Sequence, residues 1–293
     1  MIKQEFIATQ HGDLECLSLC PPETVASASP VILVHGIFTG ASLFSHHFMP
    51  AIAHAGYPCY ALSLRSHGNS HNNASDSPLE SYVEDLRSLF DLVLQRHKQP
   101  PIIVGYSMGG LVAQHFASKL STKYPVMPLS GLCLLASVPP HGFNHLNNHL
   151  VCSQPFEASV LSQFMLMPEL LVQNAYVRRS LLNALFHDGA TKAQAEKILA
   201  GFCPEDLNLF SSAQPVALDF AQKLPVLVIG AQNDKIVPVK IVNDTANAYG
   251  VKAEIIPLCG HAIPLENQWP NAMERLITWV HERHPSHQLI KAS

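Results

Sequence analysis

Apolar residues along this chain fall into two rhythms. Short unbroken runs occur at Val31-Ile32-Leu33-Val34, Pro58 to Leu62, Pro101 to Val104, Gly131 to Ala136 and Pro225 to Gly230. A strand covered on both faces reads this way, which is the mark of a parallel sheet sandwiched between helices. Between the runs lie segments with helical spacing: Leu79 to Gln95, Met108 to Lys119, the stretch after Pro238, and Pro270 to Arg283. Alternating strands and helices predict an α/β domain. The first twenty residues differ, because Glu5 to Thr9 and Leu14 to Leu19 alternate polar and apolar positions around His11-Gly12-Asp13. That pattern predicts a hairpin, and a further strand is expected at Ala253 to Leu258.

The alternation stops after Ser137 and resumes at Pro225. Residues 138–223 contain helical pieces, Tyr176 to Phe186 and Thr191 to Ala200, without a parallel-type strand. This predicts one core, residues 1–137 with 224–293, interrupted after its sixth strand by a helical insertion. Such an insertion lies over the carboxyl ends of the strands, where open α/β sheets bind ligands.

One strand-to-helix junction carries chemistry. Gly105-Tyr106-Ser107-Met108-Gly109 is a G-x-S-x-G motif closing the apolar run at 101–104 and opening a helix. A serine on so tight a turn is pushed out of the sheet, and the flanking positions must be small. Its hydroxyl needs a base, and the base needs an acid to orient it. Asp234 follows the strand at 225–231 and His261 follows the strand at 253–258, so Ser107, Asp234 and His261 stand in the chain order of this architecture. The loop His35-Gly36-Ile37-Phe38 lies after the 31–34 strand. The backbone N–H groups of Ile37 and Met108 are the candidate oxyanion donors, and His35 reads as a brace for that loop.

Composition narrows the picture. The 293 residues are 47% hydrophobic and 14% charged with a formal net charge of −4, so there is no basic footprint for nucleic acid. No apolar run approaches the roughly 18 residues of a membrane span. The opening residues Met1 to Glu5 carry an early acid and no apolar h-region, so no signal peptide is expected. Seven cysteines, odd in number and without a C-x-x-C pair, suit a reducing, cytoplasmic setting. His141, His145 and His149 are spaced by four, but Gly142, Asn144, Asn147 and Asn148 are poor helix formers and no carboxylate or cysteine is expected to join the set. No metal and no cofactor are expected.

The segments Val34-His35-Gly36, Leu64-Arg65-Ser66-His67-Gly68-Asn69-Ser70, Gly105 to Gly110, Asn233-Asp234 and Gly260-His261 together resemble the α/β-hydrolase family, over most of residues 1–137 and 224–284. The resemblance implies a mostly parallel eight-stranded sheet with its second strand antiparallel, and a helical cap (lid) between strands six and seven. Serine rather than aspartate at position 107 argues against epoxide hydrolase and haloalkane dehalogenase chemistry. Met108 and Ala262 depart from the tryptophans of proline iminopeptidases and carbon–carbon bond hydrolases. Arg65 reads as structural.

The resemblance leaves a serine hydrolase of carboxylic esters, monoacylglycerol lipase-like and lysophospholipid lipase-like activities included, and the near-neutral, apolar chain favours an uncharged small-molecule or lipid-like substrate such as a simple ester or a monoacylglycerol. Phe38, Tyr106, Phe164, Met165 and Met167 are expected to line its pocket. Acyl transfer or thioester hydrolysis with the same three residues is the enzymatic alternative. A ligand receptor on the same fold is the alternative from another class.

Overall fold

The computed structural model describes residues 1–21, 28–71, 78–166, 174–187, 202–203, 205–206, 208–212 and 214–283. Its centre is a sheet of eight strands: β1 (Lys3–Thr9), β2 (Gly12–Leu19), β3 (Val31–Val34), β4 (Cys59–Leu62), β5 (Ile102–Tyr106), β6 (Gly131–Leu135), β7 (Val226–Ala231) and β8 (Ala253–Ile256). They are ordered β1-β2-β4-β3-β5-β6-β7-β8. β2 runs antiparallel to both neighbours, and the pairs from β4 to β8 are parallel. The hairpin is where the alternating pattern predicts it, and the antiparallel second strand is the one the family resemblance implies.

Helices cover both faces. They are α1 (Phe48–His54), α2 (Pro78–His97), α3 (Met108–Lys123), α4 (Phe143–Ser153), α5 (Pro155–Leu166), α6 (Ala175–Leu185), α7 (Asn208–Ser212), α8 (Val239–Ala248) and α9 (Trp269–Arg283). The uninterrupted strand runs follow from this double cover, because successive side chains point to opposite faces. Ile32, Val34, Ile103, Leu132 and Leu134 pack with α2, α3 and α8. Val31, Leu33, Ile102, Val104, Cys133 and Leu135 pack on the other face with α1 and α9. Each such side chain contributes about 1.5–3 kcal/mol when fully buried. Four of the seven cysteines (16, 59, 133 and 259) are buried.

Two expectations need correction. β8 stops at Ile256, because Leu258 takes a left-handed backbone (φ 50) and turns outward. Residues 143–153 are helical despite three asparagines. Gly142 sits outside as the N-cap with φ 82, while Phe143, Leu146 and Leu150 fall on one buried stripe. Burial of that stripe outweighs an asparagine penalty of about half a kcal/mol per residue. Between β6 and β7 lie α4 to α7. The predicted helix at 191–200 lies outside the described residues.

Candidate active site

The junction between β5 and α3 is strained. Ser107 has φ 52 and ψ −119, a conformation costing about 1–3 kcal/mol for a residue with a Cβ. Three backbone hydrogen bonds hold it there: Ser107 N–H donates to Leu135 O (3.0 Å), and Ser107 O accepts from Gly110 and Val138 N–H (3.0 Å each). A Cβ on Gly109 would overlap the carbonyls of Val34 and His35. The turn is therefore wedged against the end of β3, and its serine faces the site.

Asp234 sits three residues past β7. Its Oδ1 accepts from the N–H groups of Ile236 and Val237, both at 2.8 Å. Oδ2 is left to pair with His261 Nδ1 at 2.8 Å. The other ring nitrogen, Nε2, lies 3.1 Å from Ser107 Oγ. With Nδ1–H donated to the carboxylate, Nε2 is the lone-pair nitrogen facing the serine hydroxyl. The hydroxyl of Tyr106 donates to His261 O (3.2 Å), and burial pushes that phenol far above its usual range, so it stays neutral. Ser107, Asp234 and His261 are all nearly buried.

The two candidate oxyanion donors flank Ser107, one following it in the chain and the other on the loop packed against it. Met108 is the first residue of α3, so its N–H has no intrahelical acceptor. Gly36 brings the preceding loop so close that a Cβ there would lie 3.0 Å from Ser107 Cβ, and Ile37 lines the cavity with Ser107. His35 braces that loop: its Nδ1 bonds Gly36 O (2.7 Å) and its Nε2 accepts from Leu64 N–H (3.0 Å). Burial, with His67 alongside, pushes the His35 imidazole down to about 3, so it is a neutral strut. Arg65 is structural too, its guanidinium forked onto the buried Asp85 (2.6 Å and 3.0 Å).

Residues 31–273 match the model of the alpha/beta hydrolase family. The chain belongs to that family. It is 25% identical over 258 residues to the monoacylglycerol lipase of Mycolicibacterium smegmatis, covering 85% of this chain and 87% of that protein. Human protein phosphatase methylesterase 1 is 32% identical over 126 residues, 42% of this chain and 31% of that protein. Among solved structures, a thermophilic esterase from Thermogutta terrifontis superposes with a TM-score of 0.67 at 18% identity, covering 97% of this chain and 99% of that one.

Two compartments open from Ser107 in this alpha/beta hydrolase. A small one, about 50 Å³, is walled by Phe38, Tyr106, Leu181, Phe186 and Leu265 beside His261. A larger one, about 240 Å³, runs under α4 and α5 along Phe143, Leu146, Leu150 and Ala158. Of the residues expected to line a substrate pocket, Phe38 and Tyr106 line the small compartment. Phe164 and Met165 belong to α5, where their side chains are outside the description, and Met167 lies outside the described residues. The α4 stripe was missed, although its i, i+3, i+7 spacing is visible in the sequence. His145 and His149 are on α4 and His141 precedes it, and among the described residues no three His, Cys, Asp or Glu side chains converge as a metal set. No described helix is long and apolar enough to cross a membrane.

Two buried carboxylates that sequence reasoning missed join the insertion to the core. Glu266 Oε1 accepts from Gly260 N–H (2.7 Å) and from His187 N–H (2.6 Å), while Ala262 N–H donates to Leu185 O (2.8 Å). The loop bearing His261 is thereby tied to the end of α6. On the opposite side, Glu205 bonds Tyr82 Oη (2.6 Å) and His67 Nε2 (3.2 Å), and Cys203 N–H donates to Phe38 O (2.8 Å). Burial lowers the basicity of His67, but Glu205, the Arg65 carbonyl and Asp85 outweigh it, and its pKa ends above the ordinary value.

Proposed function

We propose that this protein is a carboxylic ester hydrolase working through a Ser107–His261–Asp234 triad, with residues 138–223 as its cap. One observation carries the reading: Asp234, His261 and Ser107 form an unbroken hydrogen-bonded line (2.8 Å and 3.1 Å) that ends where two apolar compartments meet. His261 Nε2 takes the Ser107 proton as Oγ attacks the ester carbonyl. Asp234 holds the ring's tautomer and stabilises the imidazolium. The N–H groups of Ile37 and Met108 face the developing oxyanion, electrostatic help worth about 3–4 kcal/mol per donor in such sites. The alkoxide leaves with the proton from His261, and water then resolves the acyl-enzyme by the reverse sequence.

The apolar walls favour an uncharged substrate with an apolar acyl group. The relatives named as a monoacylglycerol lipase and esterases support ester cleavage over other chemistries of the fold. The test is Ser107→Ala assayed on p-nitrophenyl esters of rising chain length, with fluorophosphonate labelling alongside. Hydrolysis and labelling should both vanish while the melting temperature holds. Full activity in that variant would overturn the mechanism.

A further inference from the structure

The two compartments share Ser107, Ile37 and Ile236, but His261 lines only the small one. That asymmetry assigns them. During acylation the Oγ–carbon bond forms, the carbon–alkoxy bond breaks, and the proton carried on His261 Nε2 passes to the departing oxygen. A general acid must lie within hydrogen-bond reach of the atom it protonates. The alcohol half of the ester therefore sits beside His261, in about 50 Å³, and the acyl half extends into about 240 Å³ under α4 and α5.

The small compartment suits an apolar alcohol. Leu43, Leu181, Phe186 and Leu265 form much of its wall. The hydroxyl hydrogens of Thr39 and Tyr106, which also line it, are committed to Gly36 O and His261 O. Hydroxyls of a polyol would lose water there and meet hydrocarbon, which is costly without new partners. A polar cleft of about 410 Å³ lies next door, lined by Gln154, Asn183, His187, Gln232, Asn233 and Lys235. Phe186 lines both spaces and is itself buried.

We infer that Phe186 is the specificity wall of this site, confining the leaving group to small apolar alcohols and shutting out polyols. The preferred substrates are then short-alkyl esters of medium-length apolar acids rather than glyceryl esters. This rests on the ester-hydrolase reading above and narrows it.

Unactivated esters test it, because a p-nitrophenolate leaves without needing the His261 proton. Methyl nonanoate and octyl acetate are isomers, so their ratio of kcat/KM reads the assignment of the two compartments alone. Methyl nonanoate should win by about tenfold or more, the scale on which apolar pockets discriminate; a preference for octyl acetate overturns the assignment. Methyl octanoate should likewise exceed 1-monooctanoylglycerol in the wild type.

Phe186→Ala opens the wall to the polar cleft and should shrink that second ratio by about tenfold, mainly by raising the rate on the glyceryl ester. Phe186→Leu, which keeps most of the packing, should move it part-way in the same direction. A wild type that prefers the glyceryl ester, or variants that lose both activities equally, would overturn the role of Phe186. Fluorophosphonate labelling separates the two layers: labelling at Ser107 with the wrong ester ratios removes this inference alone, whereas no labelling and no hydrolysis removes both readings.

Discussion

The floor and the roof of this pocket are built in different ways. On the floor, each proposed catalytic residue sits on a turn past a strand and is held by backbone hydrogen bonds: three at the Ser107 backbone, two at Asp234 Oδ1 and one from Ile263 N–H to His261 O. The roof helices α4 and α6 present apolar stripes (Phe143, Leu146 and Leu150; Leu181 and Ala184) over the pocket and meet the floor through hydrogen bonds at their seam, with large apolar residues such as Val151, Phe156 and Tyr176 left exposed on α4, α5 and α6. Directional bonds fix positions to fractions of an ångström, as proton transfer requires. Packing fixes a volume and leaves its outline adjustable. The contrast teaches that changes to the floor should act on kcat and changes to the roof on substrate preference.

The largest effect expected is on the floor. Asp234→Asn keeps the shape but presents an amide N–H or a neutral oxygen to His261, disturbing the tautomer that turns Nε2 toward Ser107. We expect kcat to fall by about 10⁴-fold with KM little changed. Steady-state kinetics on one ester check it, and a fall confined to KM would place Asp234 outside the chemistry.

The next is pH. His35 is buried as the neutral imidazole with its pKa pushed down to about 3 from an ordinary 6.5. Its contribution to stability is complete above pH 6.5 and is lost as pH falls toward 3, because the unfolded chain binds the proton first. At about 1.4 kcal/mol per unit, going from pH 7 to pH 4.5 should remove about 3 kcal/mol. His67 works in the other direction. Its pKa is raised in the fold, so its contribution is full below 6.5 and fades as pH climbs through the raised value. Urea unfolding at several pH values should show the acid limb flattened in His35→Gln. An unchanged acid limb would show that other groups carry it.

At the seam between floor and roof the expected effect is intermediate. Glu266→Ala removes the carboxylate oxygen that accepts from the buried Gly260 N–H and from the half-buried His187 N–H. The His261 loop should loosen, and kcat should drop by about 10- to 100-fold, corresponding to about 1.4–2.8 kcal/mol. Glu266→Gln keeps an oxygen in place and should recover most of the rate. If both variants lose activity equally, the charge of Glu266 matters and its acceptor geometry does not.

The same division explains what could be read from the sequence. Ser107, Asp234 and His261 were legible because each follows an apolar strand run and the order of strand ends is written in the chain. The parallel sheet was legible because doubly covered strands lack polar positions, as in Val31 to Val34. Glu205, Glu266 and Phe186 were not. Glu205 meets His67 across 138 positions and Glu266 meets His187 across 79, and neither carboxylate carries a local pattern that marks it as buried. The α4 helix was misjudged for another reason: three asparagines speak to local propensity, whereas Phe143, Leu146 and Leu150 are held by tertiary burial, which the composition of that stretch does not reveal.

The smallest effect expected lies at the rim of the roof, and it sharpens the contrast most. Val151 lines the large compartment yet is 62% exposed, while its neighbour Leu150 lines the same space and is 3% exposed. Leu150→Ala removes core packing and should cost about 2–5 kcal/mol of stability. Val151→Ser should change stability by less than about 0.5 kcal/mol, as surface substitutions do. Its effect should appear only in specificity, as a few-fold fall in kcat/KM for the longest acyl chains, because a hydroxyl replaces one apolar contact along the acyl path. Short-chain esters, which end before that position, should be hydrolysed at the wild-type rate. A uniform loss across chain lengths would mean that α4 shapes the reacting centre itself, and the separation of floor from roof would fail there.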